Sequence, residues 1–161
     1  MSDNILFFLT LYSAIGCGLM AGLFFIFSNT VMSALGSIKP AQGIAAMQSI
    51  NRVILNPIFF IVFMGTAITC LIIAVSLIWK SDQPANFYLL SGNLFYLLGS
   101  MLVTIVKNVP MNNALDKVDP ESDEGANLWT DYLTNWTRWN HVRTVACLLA
   151  CLLLIIALTK M

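Results

Sequence analysis

Charge is scarce in this sequence, and no polar stretch is long enough to form a water-soluble domain. Only 10% of its 161 residues are charged, against about a quarter in soluble domains. Eight basic side chains balance eight acidic ones, which excludes the basic surface of a nucleic-acid partner and the polybasic tail that binds anionic lipid. Histidine occurs once, at position 141. A metal site would need further ligands at ligand spacing, and a bis-histidine haem a second histidine. The four cysteines, Cys17, Cys70, Cys147 and Cys151, form no C-x-x-C pair, which argues against thiol–disulfide exchange. No internal repeat is visible, so an inverted-repeat transporter gains no support.

What is abundant is apolar sequence. Hydrophobic residues make up 58% of the chain, concentrated in four runs, Ile5–Phe27, Val53–Trp79, Phe87–Val106 and Val142–Thr159. A run of this length reaches the ~30 Å of a bilayer core as a helix, or nearly so. The predicted fold is all-α, a four-helix transmembrane bundle forming one integral membrane domain over residues 1–161. The first run lacks a basic leader and is long for a signal peptide, so it is expected to be retained as a span. The cysteines all fall in these spans, where they serve as small fillers. Gly18 and Gly22 on span one, with Gly92 and Gly99 on span three, predict close helix contacts within the bundle, a homodimer interface being the alternative.

The connections carry the rest. Lys39-Pro40 followed by residues 41–50 predicts a short interfacial helix before span two. Lys80–Asn86 reads as a tight turn that makes spans two and three antiparallel neighbours. Span three is expected to end at Asn108-Val109-Pro110. The acidic stretch from Asp116 to Glu124 lacks the ligand spacing of a calcium loop and reads as a solvated loop. Residues 127–144 form a helical lead-in to span four, with Trp129, Trp136 and Trp139 where a helix would cross the headgroups. Lys107, Arg138, Trp129 and Trp136 suit an interfacial anchoring role. Basic residues predominate in loops one and three, which places those loops in the cytoplasm and both termini outside.

Four alternating spans bring the end of span one, the start of two, the end of three and the start of four to one membrane face. The informative polar residues all gather there: Asn51, Arg52 and Asn56, then Asn108 and Asn112, then Asn140, His141 and Arg143. Ionisable groups within spans are costly and point to function. Trp136, Asn140, Arg143 and Cys147 recur at helical spacing and share a face of span four, while Tyr96, Ser100, Thr104 and Asn108 form a matching stripe on span three. Asparagine snorkels and anchors poorly, so these asparagines predict a hydrogen-bonded pocket. Because imidazole titrates near neutrality, His141 suits a general base. An interfacial structural role for His141 is the competing reading.

Several of these segments resemble a known family. They are Phe24-Phe25-Ile26-Phe27-Ser28 with Val31-Met32; Pro40-Ala41-x-Gly43-Ile44-Ala45-Ala46-Met47-Gln48-x-Ile50-Asn51; Asn56-Pro57 with Gly65-Thr66; Val103-Thr104 with Asn108-Val109-Pro110-Met111-Asn112; and Trp136-Thr137-x-Trp139-Asn140-His141-Val142-Arg143-Thr144. In order and over nearly the whole length, they are similar to the small membrane family that includes anthrone oxygenases. The resemblance implies a four-helix membrane bundle, in the bacterial inner membrane for bacterial members, that oxidises an anthrone to an anthraquinone with O2 and needs no metal or organic cofactor. On that reading the partners are an apolar aromatic small molecule, O2 and the lipid bilayer. His141 would act as base, with Asn140, Asn108 and Asn112 as hydrogen-bond donors. Arg143 or Arg52 would carry the charge that stabilises an enolate, and Phe24, Phe25, Trp136 and Trp139 would give flat contact surface. Asn51 and Asn56 would complete the binding set. A non-enzymatic protein that binds a lipid, a quinone or a partner subunit is the alternative.

Overall fold

In hydrocarbon every backbone amide must find its partner within the chain, so each apolar run becomes a helix. The computed structural model describes residues 2–79 and 84–161. Its helices are α1 (Asp3–Gly36), α2 (Pro40–Val53), α3 (Pro57–Ser76), α4 (Pro84–Leu115) and α5 (Asp123–Leu158). All except α2 are long and apolar enough to cross a membrane. The chain is therefore a multi-pass membrane protein with a four-helix bundle, and no strand occurs among the described residues. The outer surface is as apolar as lipid requires, with Ile58, Ile61, Leu98, Val145 and Leu152 all exposed. Most of the turn expected at Lys80–Asn86 lies outside the described residues. The spans it joins, α3 and α4, do pack side by side.

Local chemistry sets the helix starts. Pro40 and Pro57 occupy first-turn positions of α2 and α3, where the missing N–H costs nothing. The Ser122 hydroxyl accepts from Gly125 N at 3.0 Å and caps α5, as an N-cap serine should. Helix α4 does not stop at Pro110, as the sequence suggests, but continues to Leu115. Two π-helical stretches precede that point, Phe95–Leu102 and Thr104–Asn108. The widened turns accommodate a proline that would clash with the carbonyl four residues back in a regular α-helix.

Helix α5 has 36 residues, about 54 Å at 1.5 Å per residue, and so extends well beyond a bilayer core. Its length supports two cores. Within the bundle, α1 packs on α3 and α5, and α5 packs on α4, around Cys17, Met20, Cys70, Ile73, Leu89, Tyr96, Cys147 and Leu154. Those three cysteines are buried free thiols, the filler role expected of them. Gly99 makes the α4–α5 approach possible, since a Cβ there would fall 2.4 Å from that of Ala146. Beyond the bundle, Met32, Ile44, Met47, Leu115, Trp129, Tyr132 and Trp136 form a second cluster. In it Trp129, Tyr132 and Trp136 stack in sequence, with centroids 5.6 and 5.7 Å apart. Trp129 and Trp136 are thus buried core residues, not headgroup anchors. Gln48 ties α2 to this end by donating to the carbonyls of Leu115 and Val118 at 2.9 and 3.1 Å.

Candidate functional site

Between the two cores lies a cavity of about 370 Å³, within the range that holds a small organic ligand. Its floor and sides are apolar: Leu23, Phe24 and Phe27 from α1, Met47 and Ile50 from α2, and Phe59, Phe60, Phe63 and Met64 from α3. From α4 come Met101, Thr104, Ile105, Val109, Asn112 and Asn113, from the turn after it Asp116, and from α5 Trp136 and Arg143. Asn51 and Arg52 complete the polar part of the wall. Four of the lining residues, Leu55, Phe60, Ile105 and Val109, are also exposed on the outer, lipid-facing surface. The cavity therefore has a side that borders the bilayer.

Arg143 dominates the chemistry. Its side chain is only 5% exposed and is stacked over the Phe24 ring at 4.2 Å, with the Trp136 ring at 5.3 Å. One terminal nitrogen donates to Thr104 Oγ1 at 3.1 Å and the other to Asn140 Oδ1. Its Nε has no partner, and no described carboxylate forms an ion pair with it. A buried cation normally meets an anion, because desolvation is otherwise uncompensated. Cation–π contact replaces only part of the lost hydration.

Asn140 holds this guanidinium in place from behind the wall. Fully buried, it donates through Nδ2 to the Phe24 carbonyl at 2.6 Å and to Ser28 Oγ. It thereby fixes α5 against α1 while its Oδ1 orients Arg143. Asn112 Oδ1 accepts from both Tyr132 Oη at 2.8 Å and Trp136 Nε1 at 2.7 Å. Asn51, beside Tyr132, leaves its buried Nδ2 unpartnered. At the mouth, Arg52 Nε stands 3.8 Å from Asp116 Oδ1, with both side chains at least half exposed.

The residues expected at a site divide into three groups. Phe24, Asn51, Arg52, Asn112, Trp136 and Arg143 line the cavity. Asn140 and Asn108 stand outside the wall: Asn140 positions Arg143, and Asn108 donates to the Trp136 carbonyl at 3.3 Å, linking α4 to α5. Phe25, Asn56, Trp139 and His141 are elsewhere. Phe25 is exposed to lipid. Asn56 caps α3 by accepting from Phe59 N at 3.0 Å and donating to the Val53 carbonyl at 3.2 Å. Trp139 lies under the Lys107 ammonium at 4.9 Å.

His141 is exposed and shares its face of α5 with the lipid-facing Val145, Leu148 and Leu152. One residue along a helix is a 100° turn, so adjacency to Asn140 does not carry His141 into the cavity. Sequence reasoning overlooked Asp116 as a wall residue because it reads as part of a solvated loop. It also overlooked Phe59, Phe60 and Phe63, whose spacing within an all-apolar span gives no hint of which face borders a cavity.

No curated protein and no solved structure matches the chain. The family model for anthrone oxygenase matches residues 59–153, from the first turn of α3 through most of α5. That stretch contains Thr104, Asn112, Trp136 and Arg143 of the cavity wall and Asn140 behind it, and the chain belongs to the anthrone oxygenase family.

Proposed function

We propose that this protein oxidises an anthrone-like or hydroquinone-like polycyclic aromatic with molecular oxygen inside the membrane, without a metal or organic cofactor. The observation that carries the reading is Arg143, a buried cation without a carboxylate partner among the described residues, in an apolar, aromatic cavity. An anthrone has an acidic CH2 group opposite its carbonyl. Loss of one proton gives an enolate whose charge rests on oxygen, where a positioned guanidinium stabilises it. The enolate passes an electron to O2, the two radicals combine at the former CH2 carbon as a peroxide anion that takes up a proton, and loss of water from the hydroperoxide leaves the second carbonyl. For an anthrone one atom of O2 enters the quinone and the other leaves as water, and for a hydroquinone O2 takes two electrons and two protons and leaves as H2O2, so neither consumes an external reductant. Apolar walls keep water away from the developing charge and strengthen its attraction to Arg143.

The test is oxygen consumption by the detergent-purified protein with a panel of anthrones and hydroquinones, beside a metal-chelated sample. Enzyme-dependent uptake that survives chelation and gives the quinone in a one-to-one ratio with O2 supports the reading. Absence of uptake across the panel would leave a binding role for the cavity and remove the oxygenase assignment.

A further inference from the structure

We infer that the cavity takes its aromatic ligand as a preformed anion, a phenolate or enolate, with Arg143 as counter-ion and no side chain of the wall as the proton acceptor. The inference rests on the reading that this cavity holds the substrate, and it concerns which ionisation state is recognised. Two observations lead there. The first is an imbalance between donors and acceptors. Thr104 Oγ1 and Asn140 Oδ1 are taken up by Arg143, and Asn112 Oδ1 by Tyr132 and Trp136. Among the lining residues, the fully buried side-chain atoms left without a partner, Arg143 Nε and Asn51 Nδ2, are both donors. Around the guanidinium, spare donors beside occupied acceptors suit an acceptor-rich anion and discriminate against a neutral hydroxyl that must itself donate, while the amide of Asn113 and the carboxylate of Asp116 are exposed.

The second observation concerns where a base could stand. Of the lining residues only Asp116 carries a carboxylate. It lies past the end of α4, in the turn that follows Leu115, twelve positions beyond Thr104, the partner of Arg143. It is also engaged at the mouth with Arg52. An oxyanion held by Arg143 beside Thr104 therefore sits at the other end of the cavity from the exposed mouth where Asp116 stands, and His141 is exposed outside the cavity. The proton is released to water before the ligand is enclosed, and Arg143 lowers the cost of that release by binding the product of it.

Binding alone tests this, so its failure is separable from a failure to oxidise. Two planar phenols of matched size, 2-naphthol and a more acidic halogenated 2-naphthol, are titrated into the detergent-solubilised protein by calorimetry, with protein-free micelles subtracted. At a pH between the two acidities the halogenated ligand is expected to bind more tightly, by about tenfold for each pH unit by which 2-naphthol remains protonated. The advantage should vanish above both acidities. Arg143→Gln should abolish it, and Arg143→Lys, which keeps the charge, should retain it. Equal affinities at the intermediate pH, or a preference that survives in Arg143→Gln, would overturn the inference. So would a preference that disappears in Asp116→Asn. If Arg143→Gln fails to fold, the wild-type comparison with Arg143→Lys decides.

Discussion

Replacing Arg143 with methionine separates what this residue does for the fold from what it does for the reaction. The guanidinium is a buried cation without an ion-pair partner among the described residues. Neutral apolar replacements of buried charged groups are often neutral or stabilising by about 1–4 kcal/mol. Against that, the substitution leaves Asn140 Oδ1 and Thr104 Oγ1 without their donor, and an unsatisfied buried acceptor costs about 1–3 kcal/mol. The two acceptors together cost about 2–6 kcal/mol against a gain of about 0–4, so the centre of the two ranges is a loss of about 2 kcal/mol in stability. Turnover should not be spared. Removing a donor aimed at a developing oxyanion lowers kcat by roughly 10²–10³-fold. The assay pairs the thermal midpoint of the purified protein, followed by size-exclusion elution, with initial rates of oxygen uptake. An Arg143→Met protein that unfolds well below the wild type yet keeps its specific activity would refute the argument, because Arg143 would then be a structural cation.

Asn140→Leu should lower kcat more than it raises KM, because the residue orients Arg143 from behind the wall and has no contact with the cavity. It should also destabilise the protein by about 1–3 kcal/mol through the unpaired Phe24 carbonyl, and an unchanged kcat would count against the positioning role. His141→Ala should keep wild-type oxygen uptake, since the imidazole faces lipid or headgroups; a collapse in kcat would restore it as a base. Gly99→Val should destabilise the protein by at least about 1–3 kcal/mol, because its Cβ would overlap that of Ala146. Adding Ala146→Gly should recover part of the thermal midpoint, and no recovery would place the clash elsewhere.

The fold was legible because membrane helices declare themselves by length and composition alone, and both Pro40 and Pro57 mark starts that the structure keeps. The end of α4 was not legible, since Pro110 signals a stop only in a regular α-helix and the preceding π-helical turns are set by packing. Sequence reasoning did bring Arg143, Asn51 and Asn112 to one end of the bundle, because polar residues in apolar surroundings are conspicuous. It misplaced Asn56 and His141 for a geometric reason. Gathering at one membrane face fixes depth, but rotation about the helix axis decides between cavity, cap and lipid. Trp129 and Trp136 misled in another way. An interfacial composition looks the same whether the helix meets headgroups or a second core formed by α2 and the ends of α1 and α4.

The flank formed by Leu55, Phe60, Ile105 and Val109 changes what concentration means for this protein. If the proposed aromatic enters through this flank from lipid, its occupancy would follow its mole fraction in the membrane and not its molarity in the surrounding water. Diluting a sample with empty vesicles at fixed total ligand would then lower saturation, as though a competitor had been added. The same bilayer also dissolves O2 more readily than water does, which would raise the supply of oxidant at the proposed site.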